Sequence, residues 1–334
     1  MVTPFVAVGS SELRRFIARF GAIAFLLLAS QLLAQERTKV RISYPSVSIA
    51  NLALFAAQQW KIFEQNGLDV ESIQMRSQAA NAALASGDIH YVAGVGPNSV
   101  AATLRGLPSK AVWFASERLV YSIVSRPEIK SIKELRGKRI AVTGLGGTSE
   151  VVLRIGLEAV GENPKDFVLI GLGTAQLMGG LESGTVEAAN INPPFLYFAK
   201  KKGFRELLDV GSYAPMPLGG LTASLAAIHN RTAELKRIIR SMQLARRALL
   251  QSKEKAVDFI MHAIKVDRGT AEDSFVDYRK TSSGSGVPTR DGMDQIVKAL
   301  QMTGQFTGKK VAFEEIADLR LATEVAKELG YKID

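Results

Sequence analysis

The sequence predicts an α/β protein of two similar lobes, and three observations carry that expectation. A run of strand, helix, strand, helix, strand, helix occurs twice. Landmarks of the two runs stand at one constant offset: Leu84, Ser86 and Gly87 match Leu181, Ser183 and Gly184, Pro97 matches Pro194, and Gly106 matches Gly203. Strand-like stretches at 111–116 and 119–125, and again at 222–228 after the Gly/Pro-rich stretch 210–221, offer two places for the chain to cross between the runs. Two similar α/β units in one chain imply two layers of core, hence two lobes.

In the first run, residues 40–44 alternate as a strand that stops at Pro45, and Ser46 and Ser48 can cap a helix over 51–63 whose apolar face is Leu52, Phe55, Ala56, Trp60 and Phe63. Asn66-Gly67 ends it, 68–73 alternates as a strand, and a small-residue helix over 79–86 stops at Gly87. A third strand over 89–94 leads through Gly96, Pro97, Asn98 and Ser99 into a helix that ends at Gly106. The second run begins at Arg139-Ile140, with a helix over 149–160, a strand over 167–171, a helix over 177–183, a strand over 186–189 and a helix that opens at Asn190 and ends at Gly203. The remainder is helical scaffold, with Leu235, Ile238, Ile239, Met242 and Leu249 at helical spacing over 233–250 and shorter helices near 253–264, 270–279, 290–300, 313–319 and 322–329.

The stretch Lys138 to Glu150 organises the reading. A β-branched run ends in Gly144-Leu145-Gly146-Gly147, and Thr148-Ser149-Glu150 opens a helix. Glycines let a ligand approach the backbone, and the first N–H groups of a helix have no partner inside it, which suits an accepting or anionic group. No Lys-Ser/Thr follows the glycines, so this is not a nucleotide P-loop, and Ser149 stands where the third glycine of a dinucleotide fingerprint belongs.

The chain of 334 residues has no cysteine, which removes disulfides, thiolate catalysis, zinc–thiolate sites and iron–sulfur clusters together. Its net charge of +10 is scattered, and no nucleic-acid-reading motif accompanies it, so nucleic acid is not an expected partner. His90, His229 and His262 lack metal-ligand spacing, so no metal site, catalytic triad or cofactor is expected. At the N-terminus, Arg14, Arg15 and Arg19 precede an uncharged run over 20–34 that is short for a membrane span of about twenty residues. That pattern predicts a secretory leader over 1–34, cleaved after Ala34, and a mature protein in the periplasm.

The words RISYPS, IFEQNGLDVE, ALASGDI, RPEIKSIKELRGKRIAV, GGTSE and NPPF, in this order, resemble the SsuA/THI5-like (NMT1/TauA) family of ABC-transporter substrate-binding proteins. The resemblance implies a type II periplasmic-binding-protein-like fold: two α/β lobes on a two-segment hinge, with a helical C-terminal tail on lobe one. Lobe one is expected over 35–125 and 213–334, and lobe two over 126–212. It implies a small-molecule ligand, a membrane permease as partner, a monomer, and no enzyme activity. Mapped onto this chain, the family's ligand loops give Tyr44, Ser46, Ser48, Asn51, Gly96, Asn98, Ser99, Gly146, Gly147, Thr148, Ser149, Thr174, Asn190 and Asn192 as candidate contacts. Hydroxyls, amides and backbone N–H groups dominate that set, which suits a carboxylate, a sulfonate or a similar polar solute, while Glu117 beside the crossing would favour an amine. The alternative is an enzyme on the same two-lobed fold, of pyrimidine-precursor or futalosine type. The first uses a cysteine-rich motif that this chain cannot supply, and the second is cytoplasmic.

Overall fold

Alternation sets the first strand. In β1 (Thr38–Tyr44), Val40 and Ile42 turn into the core while Lys39 and Arg41 face water. The structure, a computed structural model, describes residues 37–333; the leader expected over 1–34 lies outside the described residues.

After β1 come a 3-10 turn, Ile49–Asn51, then α1 (Leu52–Gln59) and α2 (Ile62–Gln65). The single helix expected over 51–63 is thus broken. Lys61 adopts a left-handed φ of 56°, and Trp60 and Phe63 pack on the same core from either side of the break. Next follow β2 (Leu68–Gln74), α3 (Ser77–Ser86), β3 (Tyr91–Val92), α4 (Pro97–Leu104) and β4 (Ser109–Ser116). The second run supplies β5 (Ser122–Ser125), β6 (Arg139–Val142), α5 (Thr148–Ala159), β7 (Val168–Gly171), α6 (Thr174–Ser183), β8 (Ala188–Ile191), α7 (Phe195–Lys201) and β9 (Arg205–Asp209). The chain returns through β10 (Leu218–Ser224) into α8 (Leu225–Asn230), α9 (Thr232–Gln251), α10 (Lys253–Ile264), α11 (Arg268–Thr281), α12 (Arg290–Met302), α13 (Phe313–Ile316) and α14 (Arg320–Glu328).

Two five-stranded sheets result, ordered β2-β1-β3-β10-β4 and β7-β6-β8-β5-β9. They are built alike. β1 runs parallel to β3 (Ile42 opposite Tyr91), as β6 does to β8 (Ile140 opposite Ala188). In each, the fourth strand is antiparallel: β10 pairs with β3 and β4, and β5 with β8 and β9. That fourth strand is always the one that has just arrived from the other sheet. β5, placed with lobe one by a boundary at residue 125, therefore belongs to the second sheet. Both sheets lie in one compact unit, Lys39–Asp334.

The first core joins β1, β3 and β10 to α1, α9, α10 and α11. Leu235, Ile238, Ile239, Met242 and Leu249 are buried in it, as their spacing predicts. Each such side chain contributes about 1.5–3 kcal/mol by leaving water. A second cluster runs through both lobes: Val100 and Ala101 of α4, Val151, Val152 and Ile155 of α5, and Met293 and Ile296 of α12 share it. The C-terminal helices therefore do more than back lobe one, since α12 also touches α5. A third cluster covers the other face of the second sheet with Leu177, Leu181, Leu196 and Ala199.

Candidate functional site

The glycine loop after β6 closes on itself. Gly146 has φ 72°, and its N–H donates to Glu150 Oε2 at 2.7 Å, while Glu150 Oε1 accepts from Arg154 at 2.7 Å. The Gly147 N–H donates to the Gly144 carbonyl at 3.2 Å. Two of the N–H groups expected to face a ligand are thus used within the loop. Ser149 is likewise committed: it is fully buried, its hydroxyl donates to the Asn190 carbonyl at 3.0 Å, and Asn190 Nδ2 donates to the Ser149 carbonyl at 2.7 Å. This reciprocal pair fastens the start of α5 to β8.

On lobe one, Asn51 Nδ2 donates to the Ser46 carbonyl at 2.8 Å, and the Asn51 N–H donates to the Ser48 carbonyl at 3.1 Å. Ser48 and Asn51 are buried, and Tyr44 stands edge-on to Phe55 with centroids 5.0 Å apart. Ser99 exchanges hydrogen bonds with the Gly96 backbone at 3.0 and 3.1 Å, a cap at the start of α4, and Asn98 beside it is half-buried.

The lobes meet at two of these places. A Cβ on Gly96 would stand 2.9 Å from Leu218 Cδ1 and 3.4 Å from Thr148 Oγ1, so the lobe-one loop lies directly against the start of α5. Arg76, just before α3, brings its guanidinium to 3.6 Å from where a Gly173 Cβ would be, next to Thr174 at the start of α6. On the far side, Tyr197 of α7 donates to Asp277 of α11, and Lys201 pairs with Asp267. Burial raises the Asp277 carboxyl above its ordinary range, whereas the Lys201 contact lowers that of Asp267.

Between these contacts, at the two crossings, lies a cavity of about 20 Å³, room for one water. It is lined by Ile49 and Ala50 from the first turn, Ala115 and Ser116 at the end of β4, Arg118, Leu119 and Val120 on one crossing, Leu218 on the other, Asn192 after β8, and Tyr278 and Thr281 on α11. Of the sequence-predicted contacts only Asn192 lines it. Tyr278 and Thr281 had no sequence signal, and Ser116 and Arg118 had none beyond their place at a crossing. Among the described residues no group of three or more His, Asp or Glu side chains could hold a metal ion.

Comparison with known proteins fits this architecture. Residues 49–193 match the family model described as NMT1/THI5 like, a stretch running from the first site turn to just past Asn192. A Haemophilus influenzae protein named for thiamine biosynthesis is 25% identical over 179 residues, 53% of this chain, and the chain spans about half (56%) of that relative. A solved Bordetella bronchiseptica protein superposes with a TM-score of 0.77 at 20% identity, over 88% of this chain and 98% of its own. The periplasmic aliphatic sulphonate-binding protein SsuA of Escherichia coli superposes with a TM-score of 0.67 at 18% identity, over 84% of this chain and 92% of its own. Residues 49–193 thus carry the likeness to the NMT1/THI5 like model, and the chain shares its two-lobed fold with the solved periplasmic sulphonate-binding protein.

Proposed function

We propose that the protein is the solute-capturing component of an ABC importer, working in the periplasm: it takes up a small polar organic solute between its lobes and presents it to a membrane permease. The observation that carries this reading is the cavity at the crossings, whose wall comes from lobe one, from lobe two and from both connecting segments. A solute group entering there touches both lobes and both connecting segments, so its binding is coupled to the movement of one lobe against the other. The fold shared with a sulphonate-binding protein supports a solute of that general kind.

Micromolar capture requires about 8 kcal/mol, and three or four charge-assisted hydrogen bonds at about 1.5–3 kcal/mol each supply that order before ordering costs. The enzymatic alternative has one observation in its favour, the relative named for thiamine biosynthesis. One experiment separates the two. The purified protein is screened by thermal shift against organic acids, sulfonates, amines and pyrimidine precursors, with small-angle scattering and mass spectrometry on each positive. Solute capture requires one class to raise the melting temperature, contract the molecule and come back chemically unchanged. Turnover of the solute, or stabilisation without contraction, would overturn it.

A further inference from the structure

The two lobes also meet away from the cavity, along a seam between α7 and α11, and a carboxylate is held in that seam. The Tyr197 hydroxyl, on lobe two, donates to Asp277 Oδ2, on lobe one, and both side chains are half-buried. Beside that bond Lys201, also on α7, pairs with Asp267 at the start of α11. Burial first, and then the bond to Asp277, push the titration of the Tyr197 phenol up, so it keeps its proton. Tyr197 therefore remains a donor, with Asp277 as its acceptor.

Acids surround Asp277. Asp273 stands one turn before it on α11, and Asp209, at the end of β9, acts on it from lobe two. Lys280 is a cation beside it on its own helix, while Glu206 of β9, near Tyr197, is engaged by Lys200 and Ser122. Among the other elements against α11, α10 contributes Glu254 and Asp258, both bound by Arg268 at the far end of the helix. The turn Ile49–Asn51 contributes no titratable group, and the crossing contributes Glu117, whose N–H donates to the Thr281 carbonyl at 2.8 Å. Burial is the largest influence on Asp277. Together with Asp209 and Asp273 it outweighs the bond from Tyr197 and the charge of Lys280, so the carboxyl titrates above its ordinary 3.8. The cover of α7 and the charge of Asp209 both come from lobe two. Parting the lobes removes both and returns the carboxylate to water.

We propose that the seam between α7 and α11 is a proton-linked latch: bringing the lobes together draws a proton from the medium onto Asp277, and parting them returns it. The protonated carboxyl still offers an oxygen to the Tyr197 hydroxyl, so the bond across the seam survives while the repulsion from Asp209 is lost. A carboxyl that holds its proton more firmly with the lobes together favours the joined form as pH falls. The gain begins above 3.8, at the titration of the joined form, and is complete below 3.8. Asp267 works in the opposite sense, because Lys201 holds its carboxyl below the ordinary 3.8, and it weakens the joined form only below that value. The lobes are thus joined most firmly at about pH 4. The latch needs no solute, and so goes beyond solute capture: it sets how readily the empty lobes meet.

The chain has no cysteine, so Gln59→Cys on lobe one and Glu158→Cys on lobe two, both exposed, take a donor and an acceptor dye and nothing else is labelled. Energy transfer then reads the ratio of joined to parted lobes in the solute-free protein, from about pH 8 down to about pH 4.5. In this labelled parent the ratio is expected to rise at least about threefold over that range, and nowhere faster than about tenfold per pH unit, the ceiling for one proton. Asp277→Asn keeps an acceptor for Tyr197 but cannot ionise. Its ratio should stay level, and at the alkaline end it should lie above that of the parent. Tyr197→Phe loses a bond that favours the ionised carboxyl, so its rise should begin at a higher pH. A ratio that does not move with pH in the parent overturns the latch, as does a pH response that survives unchanged in Asp277→Asn. Either result leaves solute capture standing, since the thermal-shift screen tests that separately.

Discussion

Ser149 and Asn190 hold one another's backbone, and that fixes what a substitution there does. Ser149→Ala removes the donor to a buried carbonyl, so unfolding in urea should show a loss of about 1 kcal/mol, while affinity for a solute at the crossings stays as it was. A selective loss of affinity at unchanged stability would return Ser149 to the binding surface. The sequence marked Ser46, Ser48, Ser99 and Ser149 because residues at helix starts obey local rules. It could not show where their hydroxyls are spent, because the Ser149–Asn190 bonds join distant parts of the chain. Tyr278 was invisible for the same reason. On α11 it reads as one more aromatic facing a core, and only the fold carries it to Arg118 and Asn192.

Helix α5 is held on its far face by a close approach. A Cβ at Gly156 would stand 2.4 Å from Val210 Cγ1, so Gly156→Leu should cost about 1–3 kcal/mol by overpacking, read as a lower denaturation midpoint with the same slope. In the second sheet the neighbouring strands β6 and β8 are tied at their starts by Glu187, which accepts from the Arg139 N–H at 2.9 Å and from its guanidinium at 2.7 Å. Arg139 thereby holds the Glu187 carboxyl at about 2, below its ordinary 4.5. Depression in the folded state means that the contribution is complete above the ordinary value and is lost as pH falls from 4.5 toward 2. The group is partly solvated, so its worth is on the order of 1 kcal/mol. Stability of Glu187→Gln should therefore fall less steeply over that interval than that of the wild type, as pH-dependent thermal melts would show. Most helices were legible from apolar spacing, α9 and α10 nearly to the residue. Short strands were not: β3 and β8 are bounded by pairing with partners remote in sequence, and the sequence extends or shifts them.

At the scale of the molecule, lobe contacts on both sides of the crossings set how long a solute stays. Tyr197→Phe removes the hydrogen bond from α7 to Asp277 on α11, and solute release should quicken several-fold in stopped-flow while the association rate changes little. Gly96→Val places methyl groups against Leu218 and Thr148, so it should hold the lobes apart: affinity drops, and scattering shows no contraction with solute. The repeat in the sequence announced two lobes but not the exchange of strands between them. That exchange orders events in time. β3 waits for β10, since Val92 pairs with Thr222, whereas β5 to β9 are contiguous in the chain. Long closures are slow and local pairings fast. As the chain leaves a ribosome or refolds from denaturant, the second sheet can assemble while the first still lacks its fourth strand. Pulsed hydrogen exchange should find the amides of Ile140 and Ala189 protected before those of Val92 and Ala223. The lobe inserted into the middle of the sequence is then the first to exist, and the one that holds both ends of the folded chain is finished last.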